Sequence, residues 1–302
     1  MDKIKLSASK VKTLLSCSWT YYCKYIIKIP DISNDGAKRG TCVHLLLEYL
    51  LNPRHKKHCD FAIKNKQLSP SNIRFLNKHA KKLNVSDEEN FTKIKEMSLT
   101  ALNHDFLVKG SKKIESEFEF NIEFEKFIIN GFIDKKAYLD NEIRIKDYKT
   151  SKAKFSKSEL ESNIQALFYS LATFKTDKTI PEIEFLFLKF VKNPSQIIEK
   201  FNEKQLSGFE FYLEQIAKYI ENFNYQKATS NMAYHNRSEC WLCGKHGLKI
   251  DGTPNFICQY RKPLTYFVIK DENGKIKKSS FEKLENSEKI KYHGCPAFKN
   301  EI

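Results

Sequence analysis

The sequence predicts an α/β chain: a helical N-terminal part, a sheet in its middle and a Cys-rich C-terminal extension. Three observations predict it. Apolar residues recur near helical spacing at Leu14, Leu15, Tyr22 and Ile26. Apolar and polar residues alternate through several short runs between Lys112 and Thr150. Cys240, Cys243 and Cys258 then gather in a strongly basic tail.

The elements follow in order. "LSASKVKTLLSCSWTYYCKYIIKI" opens with Ser7 and Ser9 as candidate N-caps and reads as helix. "DISNDG" breaks it at Gly36, and "AKRGTCVHLLLEYLL" is a second helix that stops at Asn52-Pro53. Residues 54–107 read as a helical insertion of low periodicity. "KKIESEFEFNIEFEKFIINGFIDKKAYLDNEIRIKDYKT" predicts an antiparallel meander of three or four strands, with turn signals at Asn130-Gly131 and Asp140-Asn141. "SKSELESNIQALFYSLATFK" predicts one amphipathic helix capped by Ser156 or Ser158. "IEFLFLKFV" reads as a buried strand, residues 202–225 as a helix, and "FVIKDENGKIKK" as a hairpin turning at Asn273-Gly274. We divide the chain into a domain over residues 1–230 and an extension over residues 231–302.

Composition narrows the function. The chain has 302 residues, of which 41% are hydrophobic, so a sizeable core is expected. Its formal charge is +15, and a surface of that sign attracts polyanions, nucleic acid first. A Lys-rich solvated surface is the bland alternative. No apolar run approaches the roughly 18–20 residues of a membrane span. "MDKIKLSASK" lacks the apolar stretch of a signal peptide. A cytoplasmic protein is expected, with cysteines free, buried or metal-bound rather than paired. No G-x-x-x-x-G-K-[ST] occurs, so any helicase would be a separate chain.

The chemistry concentrates in "GFIDKKAYLDNEIRIKDYKTSK". An Asp is disfavoured inside a strand and costly when buried alone. In a strand, Asp147 and Lys149 project to one face and Tyr148 to the other. The Tyr148 carbonyl is then free to act as a ligand. Asp134, on a neighbouring strand, reaches the same spot. Two carboxylates and a carbonyl suit Mg²⁺ or Mn²⁺. Such a cation lowers the pKa of a bound water, and a neighbouring Lys orients that water or offsets developing charge. A surface hairpin with ordinary Asp–Lys pairing is the alternative.

This stretch resembles the G-x-(I/V)-D…D-x-K-T core of the PD-(D/E)XK nucleases, in their RecB-like branch. "LSASKVKTLLSCSWTYYCKY" resembles the branch's opening helix, although Ser18 stands where Pro is usual. "RGTCVHLLLEYL" resembles its G-x-x-x-H helix and "QALFYSL" its Q-x-x-x-Y motif. The resemblance implies a restriction-endonuclease-like core, a mixed central sheet flanked by helices. It implies metal ligation by His44, Asp134, Asp147 and the Tyr148 carbonyl, with Lys149 as catalytic lysine. It implies that Gln165 and Tyr169, four apart on one helical face, contact the substrate strand. Read alone, His44 and Tyr169 would be core residues.

"ECWLCGKHGLKIDGTPNFICQY" places Cys240 and Cys243 in a C-x2-C knuckle that presents two thiolates to one metal. Some RecB-like nucleases, a CRISPR-associated adaptation nuclease among them, hold an iron–sulfur cluster on one Cys of the first helix and three near the C-terminus. Cys17, Cys240, Cys243 and Cys258 resemble that set, with a longer last gap. Zinc completed by Cys295, His235 or His246 is the rival, and buried thiols are the third reading. Cys23 replaces Cys17 if the helix register differs. The expected function is a Mg²⁺-dependent deoxyribonuclease, an exonuclease of DNA recombination, repair or phage DNA metabolism. The alternative is a non-catalytic nucleic-acid-binding module on the same fold.

Overall fold

The computed structural model of the chain describes residues 3–230 and 258–297. The chain forms two compact units. One comprises Met1–Ser7 and Ser33–Glu214, the other Ala8–Ile32 and Gln215–Ile302.

The first unit is a mixed α/β fold around a six-stranded sheet flanked by helices. Its strands are β1 (Ile4–Leu6), β2 (Lys113–Glu123), β3 (Phe127–Tyr138), β4 (Ile143–Lys149), β5 (Glu182–Phe187) and β6 (Ser195–Ile198). The expected meander is β2, β3 and β4, antiparallel throughout, but its first turn lies at Glu125-Lys126 and not at Asn130-Gly131, which pair with Asn121 and Phe120 inside β3. β5 runs parallel to β4, which makes the sheet mixed. β1, three residues long, pairs parallel with β3 and ends at Leu6, where the expected first helix begins. β1 and β4 divide one edge of β3 between them. β1 takes Phe127–Ile129 and β4 takes Lys135–Tyr138. On that edge residues 130–134 therefore pair with neither strand, and Asp134 stands at the gap.

Helix α3 (Asp35–Leu51) starts at Asn34, whose side chain accepts from the Ala37 amide. It ends before Pro53, as the sequence predicts. Its Leu46, Leu47 and Leu50 are buried against Leu76 and Ala80 of α5 (Pro70–Lys82) and Ile94, Met97 and Ala101 of α6 (Glu88–Leu102). Each such Leu contributes about 1.5–3 kcal/mol by leaving water. Tyr148, Leu186 and Leu188 join the same core from the sheet, so α3 is fixed on the β4–β5 surface.

The single helix expected over residues 156–175 is two. α7 (Lys157–Glu161) carries a capping box from Ser156 and Glu159. α8 (Ile164–Asp177) is capped anew by Asn163, whose side chain accepts from the Ala166 amide. Asn favours a cap over a helix interior because its side chain competes for backbone donors. The new start sets the phase of α8 and so decides where Gln165 and Tyr169 point.

In the second unit α1 (Ala8–Ser16) and α2 (Ser18–Tyr21) lead into a π-helical turn, Tyr22–Ile26. Its β7 (Leu264–Lys270), β8 (Ile276–Ser280) and β9 (Glu288–Tyr292) form an antiparallel sheet in the order β8-β7-β9. The hairpin turns where expected, with Gly274 at φ +76°. Tyr292 organises the interior. Its hydroxyl donates to the Tyr260 carbonyl at 2.7 Å and accepts from Trp19 Nε1 at 2.8 Å. No helix among the described residues is long and apolar enough to cross a membrane.

Candidate active site

The gap in the β3 edge explains the first feature of the site. The Asp134 carboxylate fills it and accepts from the Tyr148 amide at 2.7 Å. This fixes the Tyr148 peptide, whose carbonyl lies 3.1 Å from His44 Nε2. His44 Nδ1 faces Asp134 Oδ1 at 3.4 Å. Both ring nitrogens thus meet acceptors. Burial would lower the His44 pKa, but Asp134, by hydrogen bond and charge, with Asp147 and Glu117 behind it, pushes it up to about 9.

Gly40 brings His44 there. A Cβ at Gly40 would stand 2.8 Å from Thr150 Oγ1, so only glycine lets α3 approach the end of β4 this closely. One helical turn later His44 faces the Tyr148 carbonyl. The G-x-x-x-H spacing is thereby explained by packing.

Sequence reasoning missed Glu117. It lies on β2 opposite Asp134, between the pairs Ser116–Lys135 and Phe118–Ile133, where the ladder is interrupted. Its φ of +47° is left-handed, a conformation that costs a non-glycine residue energy and concentrates at functional sites. Burial first, then Asp134, raises its pKa. Ligand atoms of His44, Glu117 and Asp134 all lie within 4.8 Å of one another, close enough to share one cation. One imidazole, two carboxylates and an adjacent carbonyl form a donor set that fits a small divalent metal.

Asp147 and Lys149 sit on one face of β4, with Tyr148 buried on the other. Lys149 Nζ is 2.6 Å from Asp147 Oδ2. Burial raises the Asp147 pKa; Lys149 opposes this and Asp134 adds to it. Asp147 thus lies within electrostatic reach of the cluster but belongs to a different set of contacts. Gln165 and Tyr169 both donate to Asp147 Oδ1 at 2.8 Å. Gln165 Oε1 also accepts from Lys149 at 2.7 Å. Tyr169 is only 3% exposed, so α8 holds the Asp147–Lys149 pair from behind.

In the second unit the Cys23 thiol is buried, and burial, with the nearby Cys295 and Cys17, raises its pKa. Among the described residues these thiols form no group of three potential ligands meeting at one point. Cys240, Cys243, His235 and His246 lie outside the described residues. Cys258 is partly buried.

No curated protein matches the chain. Among solved structures, a protein from Eubacterium rectale described as "Putative exonuclease" is similar at 11% identity and a TM-score of 0.44, covering 70% of this chain and 77% of that one. Protein VC1899 from Vibrio cholerae is similar at 9% identity and a TM-score of 0.25, covering 62% of this chain and 58% of that one. Neither likeness carries the assignment. That comes from the PD-(D/E)XK nuclease superfamily model, which matches residues 5–245 and so takes in every residue of the cluster and of the Asp147–Lys149 pair; the chain belongs to that superfamily.

Proposed function

We propose that this nuclease is a DNA exonuclease that hydrolyses phosphodiester bonds with Mg²⁺ or Mn²⁺. The observation that carries the reading is the convergence of His44, Glu117 and Asp134 beside the buried Asp147–Lys149 pair. His44, Asp134 and the Tyr148 carbonyl would hold the cation, with Glu117 as a further ligand and Asp147, which acts electrostatically on His44, as the remaining carboxylate. When bound, such a cation polarises a phosphoryl oxygen and acidifies a water. Lys149, anchored by Asp147 and Gln165, would orient a water beside the cluster and offset negative charge in the transition state. Gln165 and Tyr169 are positioning residues, because their contacts are to Asp147 and Lys149. Spread over the surface, the +15 charge holds the phosphate backbone with little sequence preference.

The test uses end-labelled single- and double-stranded DNA with and without Mg²⁺ or Mn²⁺. Asp147→Asn and Lys149→Ala should each lower cleavage at least about a hundredfold while DNA binding stays within a few-fold. Near-unaltered cleavage by either variant would sink the assignment.

A role in recombination, repair or phage DNA metabolism, in the cytoplasm and with a separate helicase, belongs to the same reading. So does a metal on Cys17, Cys240, Cys243 and Cys258, as an iron–sulfur cluster or zinc. The C-x2-C spacing of Cys240 and Cys243 supports it. Anaerobically purified protein should be brown and lose its visible absorbance in Cys243→Ser. Colourless protein with stoichiometric zinc would select zinc, and protein without either would end the idea.

A further inference from the structure

The metal-ligand cluster opens into a groove that its own chemistry does not need. A cavity of about 420 Å³ is lined by Gly40, His44, Glu48 and Glu117. A second, of about 470 Å³, shares Leu45 and Glu48 with it and reaches Tyr49, His55 and Phe75. A third, of about 530 Å³, shares Leu51, Asn52 and Pro53 with the second and ends among Lys56, Lys112 and Lys113. The three follow one face of α3 toward the helical insertion. Glu48 stands at the first junction and acts electrostatically on Glu117, so it belongs with the acids of the cluster.

Past Glu48 the wall changes character. The rings of His55 and Tyr49 stack with centroids 3.7 Å apart and 19° between planes. Phe75 follows Tyr49 at 4.3 Å, and His79 follows Phe75 at 4.4 Å. On the other side His58 lies 6.4 Å from His55, 27° from parallel. Core packing accounts for Tyr49 and Phe75, which border the α3 core. It does not account for His55 and His58, which are half-exposed at its edge. Cations surround them. Residues 53–85 contain nine Lys or Arg and one acid, Asp60. Arg54, Lys56, Lys57, Arg74 and Lys78 are exposed. Lys57 and Arg74 are near enough to His58 to help burial lower its pKa.

We propose that a single strand of DNA runs from the metal-ligand cluster along α3 and stacks its bases on the exposed end of the ring column at His55 and His58, which Tyr49 backs, with Arg54, Lys56 and Lys57 on its phosphates. The proposal rests on the nuclease reading and adds the strand form and the path of its substrate. A cationic rim with ring faces inside it matches what a single strand offers: a charged backbone and unstacked bases. A duplex keeps its bases stacked and leaves the rings without partners. Continuity with the cluster delivers the strand to the place of cleavage.

The test measures binding without metal, in an Asp147→Asn background, by fluorescence anisotropy. The probes are a short labelled oligo(dT), an abasic strand with the same number of phosphates, and a blunt duplex of the same length. Replacing both rings, Tyr49→Ala with His55→Ala, should weaken oligo(dT) binding about tenfold. Abasic-strand binding should stay within about twofold of the parent. Tyr49→Phe with His55→Phe should restore oligo(dT) binding. If the double alanine variant melts out, His55→Ala alone at its half-exposed position carries the same comparison. Equal losses on both strands, no loss on oligo(dT), or tighter binding of duplex than of oligo(dT) by the parent would each overturn the proposal. These readouts need neither cation nor cleavage. Absence of cleavage by the unaltered chain with Mg²⁺ or Mn²⁺ would count against the nuclease reading alone.

Discussion

The two faces of β4 each bury a lysine beside a carboxylate, and only one of them looks like a reaction centre. On one face Lys149 meets Asp147 at 2.6 Å, with Gln165 and Tyr169 behind. On the other Lys146 meets Glu184 at 3.2 Å, and His104 meets the same carboxylate at 3.1 Å. Lys146 is 4% exposed, and Asp147 2% beside a Lys149 side chain that is 21% exposed, so burial alone does not pick out the reaction centre. Their remaining partners do. Lys146 donates to the His104 and Asp105 carbonyls, and its neighbour Lys135 to the Phe106 carbonyl. Those cations staple the chain after α6 onto the sheet by satisfying its backbone. The Asp147–Lys149 pair is held by side chains and lies beside the His44, Glu117 and Asp134 cluster. A buried ion pair is thus weak grounds for function; what surrounds it decides.

The largest expected effect breaks this comparison in two directions. Lys149→Ala should abolish cleavage, and the bonds that Asp147 keeps from Gln165 and Tyr169 should hold its stability loss below that of Lys146→Met. Lys146→Met should lower stability and spare cleavage. Removing one partner of a buried pair destabilises by about 3–5 kcal/mol because a charge is left behind. His104, still beside Glu184, should keep the loss near or below the low end of that range. Cleavage per folded molecule should be unchanged. Denaturant unfolding with active-site-normalised rates measures both. A Lys146→Met variant with intact stability and lost cleavage would erase the distinction between the faces.

The next effect sharpens the active face. Gly40→Ala places a Cβ 2.8 Å from Thr150 Oγ1, so α3 or Thr150 must move. Displacement of His44 by a fraction of an ångström should lower cleavage about tenfold, since small misplacements are costly in catalysis. Thr150→Ala in the same chain removes the hydroxyl and should recover most of the rate. Failure of that rescue would mean that Gly40 matters for another reason.

The sequence was legible where local pattern and fold agree. Alternation marked the strands of the meander but not the turn between β2 and β3, since Asn130-Gly131 lies inside β3, and the two-residue period put Asp147 and Lys149 together. Glu117 escaped because "ESEFEF" reads as an ordinary amphipathic strand, with acids on the solvent side. Its signal was positional. Glu117 and Asp134 are mirror positions about the turn closed by Phe124 and Phe127, so a register drawn from that turn brings them opposite. β1 escaped because three residues carry too little periodicity to stand out from the helix that follows. The second cap at Asn163 was visible as a residue type but was overridden by a continuous apolar stripe. Lys135, Lys136 and Lys146 looked like polar strand positions. All three are buried, because a long Lys stem can cross an apolar layer and place its ammonium on a carbonyl or carboxylate.

The smallest expected effect tests the structural face through pH. Burial, then the charge of Lys146, holds the Lys135 ammonium well below the ordinary lysine pKa of 10.5. The unfolded chain therefore binds a proton at Lys135 more readily than the folded chain. Between the lowered folded pKa and 10.5, the unfolded state carries more protons, and this residue makes stability rise with pH. Below the folded pKa both states are protonated and the folded state bears the full penalty. Lys135→Met keeps the length of the side chain and the packing against Phe106 but carries no charge. It gives up the bond to the Phe106 carbonyl, worth about 1 kcal/mol. At neutral pH the two changes oppose each other, so the variant should be near the parent in stability. At pH about 9–10 the parent should gain on the variant, since only the parent sheds its penalty there. Denaturant midpoints of both proteins across that range give the difference directly, and subtraction removes every other titrating group. Parallel stability curves would mean that Lys135 keeps its proton in the fold and that the carbonyl contact holds a full charge.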